Sequence, residues 1–151
     1  MNSTISSYQH IENHQLVLER FGNWPSFHDG EVLRVVLDRT RKTSDGKYFP
    51  SIELLLYGWN MIEEITDAGH YKLENESAVH FLFEEVSDVE LDGLNHQNVL
   101  SGLDFAIMKK ESSGAVLISV TLNHCYGLSG SFKTTRAKIL SVAPYVNSGG
   151  A

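Results

Sequence analysis

The sequence predicts an α+β domain in which one N-terminal helix packs on a predominantly antiparallel sheet of about seven strands, curled into a sandwich or half-barrel. Three observations predict it. A single stretch near the start carries apolar residues at helical rather than alternate spacing. From Gly30 onward, short runs of β-branched and aromatic residues alternate with polar ones. Turn-forming residues punctuate those runs, and no internal repeat or linker divides the chain.

The helix is read from Ile11 to Phe21, where Ile11, Leu16, Val17, Leu18 and Phe21 interleave with Glu12, His14, Glu19 and Arg20. Gly22 supplies a stop, and Trp24-Pro25 cannot continue a helix, because proline disfavours helical backbone in the residue before it. Leu33, Val35 and Leu37 then mark one strand, and Ile52, Leu54 and Leu56 the next. The turn signal Ser44, Asp45, Gly46 between them makes a hairpin or meander. Met61 to Asn75 is polar and irregular, which reads as a long acidic loop or a short helix with a loop. Val79, Phe81 and Phe83 form a further strand. Val86, Val89 and Leu91 make a short run before Gly93, after which Asn95 caps one helical turn through Leu100, closed by Gly102. Leu103, Phe105 and Ile107 pair with Val116, Ile118, Val120 and Leu122 across a hairpin connection at Glu111, Ser112, Ser113 and Gly114. Short strands at Leu128 to Phe132 and Ala137 to Val142 complete the sheet.

A chain of 151 residues with 42% hydrophobic content fills one core without disulfides or metals. The domain is expected to span 1–146, with 147–151, Asn-Ser-Gly-Gly-Ala, as a flexible tail. Cys125 stands alone, so no intrachain disulfide forms. The opening residues Met1 to Tyr8 are polar and uncharged, unlike a secretory signal, and no apolar run reaches membrane-spanning length. A cytoplasmic location is the expectation.

Charge is distributed unevenly. Of the net −7, the segment from Glu53 to Asp104 carries −11, with Lys72 its only cation, and the remainder carries +4. Such a segment repels nucleic acid and accelerates encounter with a basic protein, although a solvated, solubilising face accounts for it equally simply.

Ser26, His28 and Asp29, with Glu31 nearby, invite a catalytic reading. On extended backbone, however, adjacent side chains point to opposite faces, so Asp29 cannot orient the His28 imidazole, and no nucleophile elbow surrounds Ser26. Of the seven histidines only His10 and His14 stand one helical turn apart, without the glutamate of a zinc-protease motif. His124 and Cys125 are neighbours that lack a second cysteine pair, and Cys125 reads as a half-buried structural thiol. Gly127-Leu-Ser-Gly-Ser131 has no lysine to make a phosphate loop. Arg34, Arg39, Arg41, Lys42 and Lys47 form only a modest basic patch. These readings leave no catalytic residue, no cofactor and no metal.

Phe21 to Val32, which reads Phe-Gly-Asn-Trp-Pro-Ser-Phe-His-Asp-Gly-Glu-Val, resembles the opening motif of the immunity protein 50 family of bacterial polymorphic toxin systems. Leu94-Asn-His-Gln-Asn-Val-Leu100 is similar to a second stretch of that family, and Gly30 stands where alanine is more usual. The resemblance implies an antitoxin that binds a co-produced toxin in the cytoplasm and has no catalysis of its own. The residues of both motifs read as scaffold. Trp24, Pro25 and Phe27 fill the gap between helix and sheet, Ser26, His28 and Asp29 shape the turn, and Asn95, Gln97 and Asn98 satisfy loop backbone. The partner surface is placed on the acidic segment, with Glu63, Glu64, Asp67, Glu84, Glu85, Asp88, Glu90 and Asp92 as contributors and Tyr57, Trp59 and Tyr71 as aromatic anchors for a basic toxin. Neither nucleic acid nor membrane is an expected partner. Two other classes stand beside this reading: a metal-dependent hydrolase or other enzyme using His28, Asp29 and His124, and a structural or oligomerisation module whose sheet edge pairs with itself.

Overall fold

Alternating side chains place one face of each strand inward, and the backbone realises that pattern from Glu31 onward. A computed structural model describes residues 7–65, 67–69, 71–110 and 112–146, and the side chains of all of these except 61–64 and 71. Eight strands are formed among the described residues: β1 (Glu31–Lys42), β2 (Tyr48–Ile65), β3 (Tyr71–Glu84), β4 (Ser87–Asp92), β5 (Val99–Lys110), β6 (Val116–Tyr126), β7 (Ser129–Thr134) and β8 (Arg136–Pro144). They make one antiparallel sheet in the order β4-β7-β6-β5-β1-β2-β3-β8.

The sheet folds back on itself. Phe83 of β3 and Phe132 of β7 stand far apart in strand order, yet their rings meet edge to face at 5.0 Å. Phe81 and Phe105 likewise meet across the two halves at 6.1 Å. The core therefore lies between β1-β2-β3-β8 and β4-β7-β6-β5, built from the inward alternation of Leu54, Leu56, Val79, Ile118 and Val120 with those rings. Two corners join the halves. At one, β1 and β5 pair only through Glu31 and Val99. At the other, β3 runs into β4 and β7 into β8. There the buried Thr134 hydroxyl donates to the Glu84 carbonyl at 2.6 Å.

A 3-10 turn (Ser7–His10) precedes the helix α1 (Gln15–Phe21), which is shorter than its periodicity predicts. Asn13 adopts left-handed backbone at φ 64°, and Glu12 is drawn into a bridge with Lys138 on the β8 edge, so residues 11–13 are not free to continue a helix. The stop at Gly22 is a left-handed cap at φ 79°, whose N–H donates to Leu18 O at 2.8 Å.

Three expectations are corrected. The stretch from Met61 to Asn75 is neither loop nor helix, since β2 and β3 continue through it to the pair Ile65 and Tyr71, with a turn at Asp67 to Gly69. A hairpin already anchored in the core extends by continuing the backbone ladder between its two strands. The helical turn at Asn95 to Leu100 is absent, because the Asn98 side chain holds that backbone in an open loop. The short run before Gly93 is a full strand, β4, which raises the count to eight.

Candidate functional site

The two motifs, distant in sequence, form one structural unit at the β1/β5 corner. Phe27 and Asp29 both take left-handed backbone, at φ 59° and 64°, which turns the chain sharply enough for Gly30 N to reach Phe27 O at 2.9 Å. Asp29 N then donates to Leu100 O at 2.8 Å, Leu100 N to Gly30 O at 2.9 Å and Val32 N to Asn98 O at 2.8 Å. A bulky residue at positive φ is costly, and here packing over-determines it. The Phe27 ring, 3% exposed, meets Phe21 at 6.4 Å and Phe81 at 6.0 Å edge to face. Trp24 packs edge to face on Phe105 at 6.0 Å and stacks on Tyr8 at 4.9 Å, and Pro25 is buried beside it. At Gly30 a Cβ would stand 2.9 Å from Phe27 O, so alanine there requires the turn to shift.

The left-handed turn also changes the relation of His28 to Asp29. Their side chains do not point apart as extended backbone would demand: His28 Nε2 lies 3.6 Å from Asp29 Oδ2, both exposed. The arrangement still lacks a nucleophile. His28 Nδ1 donates to Ser101 O at 2.9 Å, and Ser26 Oγ accepts the His28 backbone N–H at 3.2 Å, as a turn residue does. His124 sits on β6 opposite Leu100 and is exposed, and Cys125 is exposed rather than half-buried, because the last three residues of β6 lie outside the core. Among the described residues no group of three or more His, Cys, Asp or Glu is placed to hold a metal ion.

In the second motif Asn98 is the organising side chain. Its buried Oδ1 accepts from Asn95 N at 2.9 Å and Leu128 N at 3.0 Å, while Nδ2 donates to Asn95 O at 2.9 Å. Asn95 Oδ1 accepts from His96 N at 2.8 Å, and Gln97 is exposed. Gly127, at φ 80°, lies under this loop, where a Cβ would stand 2.4 Å from Gln97 O.

The acidic segment does not fold into one patch. Ser51 pairs with Glu84 at one end of the β2–β3 ribbon and Ile65 with Tyr71 at the other, which at the rise of a strand separates the ends by roughly 40 Å. Asp67 is exposed at the far tip, and the side chains of Glu63, Glu64 and Tyr71 lie outside the described residues. At the near end Glu84 is buried between Arg41 at 3.6 Å and Lys138 at 3.4 Å. Glu85 accepts from the Thr135 hydroxyl, and Asp88 pairs with Lys133 at 2.9 Å. Glu90 and Asp92 are exposed on β4. Of the aromatic anchors, Tyr57 is buried and donates its hydroxyl to Glu76, and burial together with that bond pushes its ionisation well upward. Trp59 packs on it at 4.9 Å and lines a cleft with Asn23, Ser26, His28 and Asn60.

A groove between β1 and β4 is illegible in the sequence. It consists of two hollows that share Leu37. One, of about 270 Å³, is lined by Val35, Leu91, Asp92 and Leu94. The other, of about 260 Å³, is lined by Ile52, Val86, Val89 and Ser51. Leu37, whose alternation reads as core, is 64% exposed, and Leu94 is 69% exposed. Only the place of β4 at the sheet margin reveals them.

No curated protein and no solved structure matches the chain. The family model for Immunity protein 50 matches residues 13–145, which takes in α1, both motifs and every strand. The chain therefore belongs to the immunity protein 50 family, a family of toxin-neutralising proteins rather than enzymes.

Proposed function

We propose that this protein neutralises its cognate toxin in the cytoplasm by binding it directly through an acidic surface, and that the docking face of the toxin is basic. The observation that carries this reading is the exposed charge of Glu90 and Asp92 on the marginal strand β4, which no cation pairs among the described residues, in a chain of net charge −7. Charge of one sign on a protruding edge raises the encounter rate with a partner of the other sign and disfavours self-association. Within the acidic segment the residues divide by role. Glu84, clamped by Arg41 and Lys138, and the buried Tyr57 serve the fold. Glu90 and Asp92 serve the partner, with the exposed Asp67 at the distant ribbon tip as a second acidic site.

Co-expression with the toxin encoded by the neighbouring gene tests the reading. Growth should be restored and the two proteins should copurify in moderate salt. A toxin that kills regardless, with no complex recovered, overturns it. A complex that survives reversal of Glu90 and Asp92 to lysine overturns the acidic surface and leaves direct binding intact.

A further inference from the structure

Sheet edges are normally covered, and among the described residues one of the two edges is. Against β8, Glu12 N donates to Ala137 O at 2.9 Å and Glu12 O accepts from Ile139 N at 2.8 Å, so the N-terminal segment pairs with that margin. The other margin, β4, pairs only with β7 among the described residues. It faces the edge of β1, which pairs with β5 only at Glu31. Between the two edges lies the apolar groove. Leu37 and Ile52 face each other across β1 and β2 in the groove, and Leu37 is 64% exposed there.

We propose that an extended segment of the cognate toxin adds to the free β4 edge as a further strand. Alternate apolar side chains of that segment seat in the two hollows over Leu37, and a basic residue between them meets Asp92. The inference rests on the immunity reading above and specifies how the complex is made. Strand addition supplies main-chain hydrogen bonds, and the pockets beside the edge select every second side chain. Charge chooses the occupant. A second copy of this chain would bring a further −7 and the same carboxylates to the edge, whereas a basic strand neutralises Glu90 and Asp92.

The test uses the full chain and a catalytically inactivated form of the toxin domain encoded by the neighbouring gene, with affinity read by calorimetry. L37K and L94K change exposed side chains and should leave the melting temperature near wild type, yet weaken binding by about tenfold or more. L140K, on the covered β8 margin, should bind as wild type does. In the complex, the amides of β4 should gain protection from hydrogen exchange. Failure of the wild-type protein to bind overturns the immunity reading itself. Wild-type binding that L37K and L94K both leave unchanged overturns strand addition alone. A dimer in sedimentation that L37K converts to monomer also overturns it, by assigning the groove to a second copy.

Discussion

Asn98 closes three backbone gaps with one side chain, and alanine at that position leaves the N–H groups of Asn95 and Leu128 and the Asn95 carbonyl without it. Leu128 is buried, so water does not replace the lost acceptor. Asn98→Ala should cost about 2–3 kcal/mol in urea denaturation, and Asn98→Asp, which keeps both acceptor contacts, should cost less. Tyr57 carries a pH dependence whose sign follows from its burial and its bond to Glu76, both of which hold the proton on past the ordinary value of 10.0. Below that value the folded and unfolded chains are both protonated and the residue adds no slope. Above it the unfolded chain releases a proton that the folded chain keeps, so stability falls as pH rises. Denaturation midpoints compared at about pH 8 and about pH 11 should drop less for Tyr57→Phe than for wild type. At this scale the sequence is informative about residue type and silent about backbone sign. Asparagine in a loop announces a backbone partner, and Trp24 and Phe27 announce packing. Left-handed Phe27 and Asp29 have no such mark, and they place His28 against Asp29 where alternation would separate them.

Among the elements, the strands that line the core are legible from period-two apolar residues, because burial of one face is what writes the pattern. Where β2 and β3 run beyond the core, at Asn60 with Glu74, that pressure is absent and polar sequence disguises a ladder as a loop. The helix is legible in type and too long in extent, since nothing in Ile11-Glu12-Asn13 records that Glu12 pairs with β8. The corner where β3 passes to β4 and β7 to β8 is equally silent, yet it sets the angle at which β4 leaves the core. Thr134 holds it by donating to Glu84 O and accepting from Arg136 N at 3.3 Å. Thr134→Val keeps the shape and removes the hydroxyl. It should cost about 1–2 kcal/mol in urea denaturation, and Thr134→Ser should recover most of the loss.

In the whole molecule, a charge that is continuous in sequence becomes two separate features, because the β2–β3 ribbon carries Asp67 to one end and delivers Glu84 to Asp92 to the other. The ends lie roughly 40 Å apart, several times the Debye length of about 8 Å at physiological ionic strength, so each attracts a partner independently of the other. Near Glu84 the acidity is further reduced by Arg41, Lys138 and Lys133, which leaves Glu90 and Asp92 as the net field of that margin. Association kinetics therefore distinguish which end meets the toxin. If the toxin docks along β4, the double reversal Glu90→Lys and Asp92→Lys should lower the association rate by about tenfold and flatten its salt dependence. Dissociation should change far less, because rim charges steer encounter more than they hold the complex. Asp67→Lys should leave the association rate within about twofold of wild type at physiological salt, since its field has decayed before it reaches the docking edge. Stopped-flow mixing across a salt series reads all three quantities, and a larger loss from Asp67→Lys than from the β4 pair would move the docking surface to the ribbon tip.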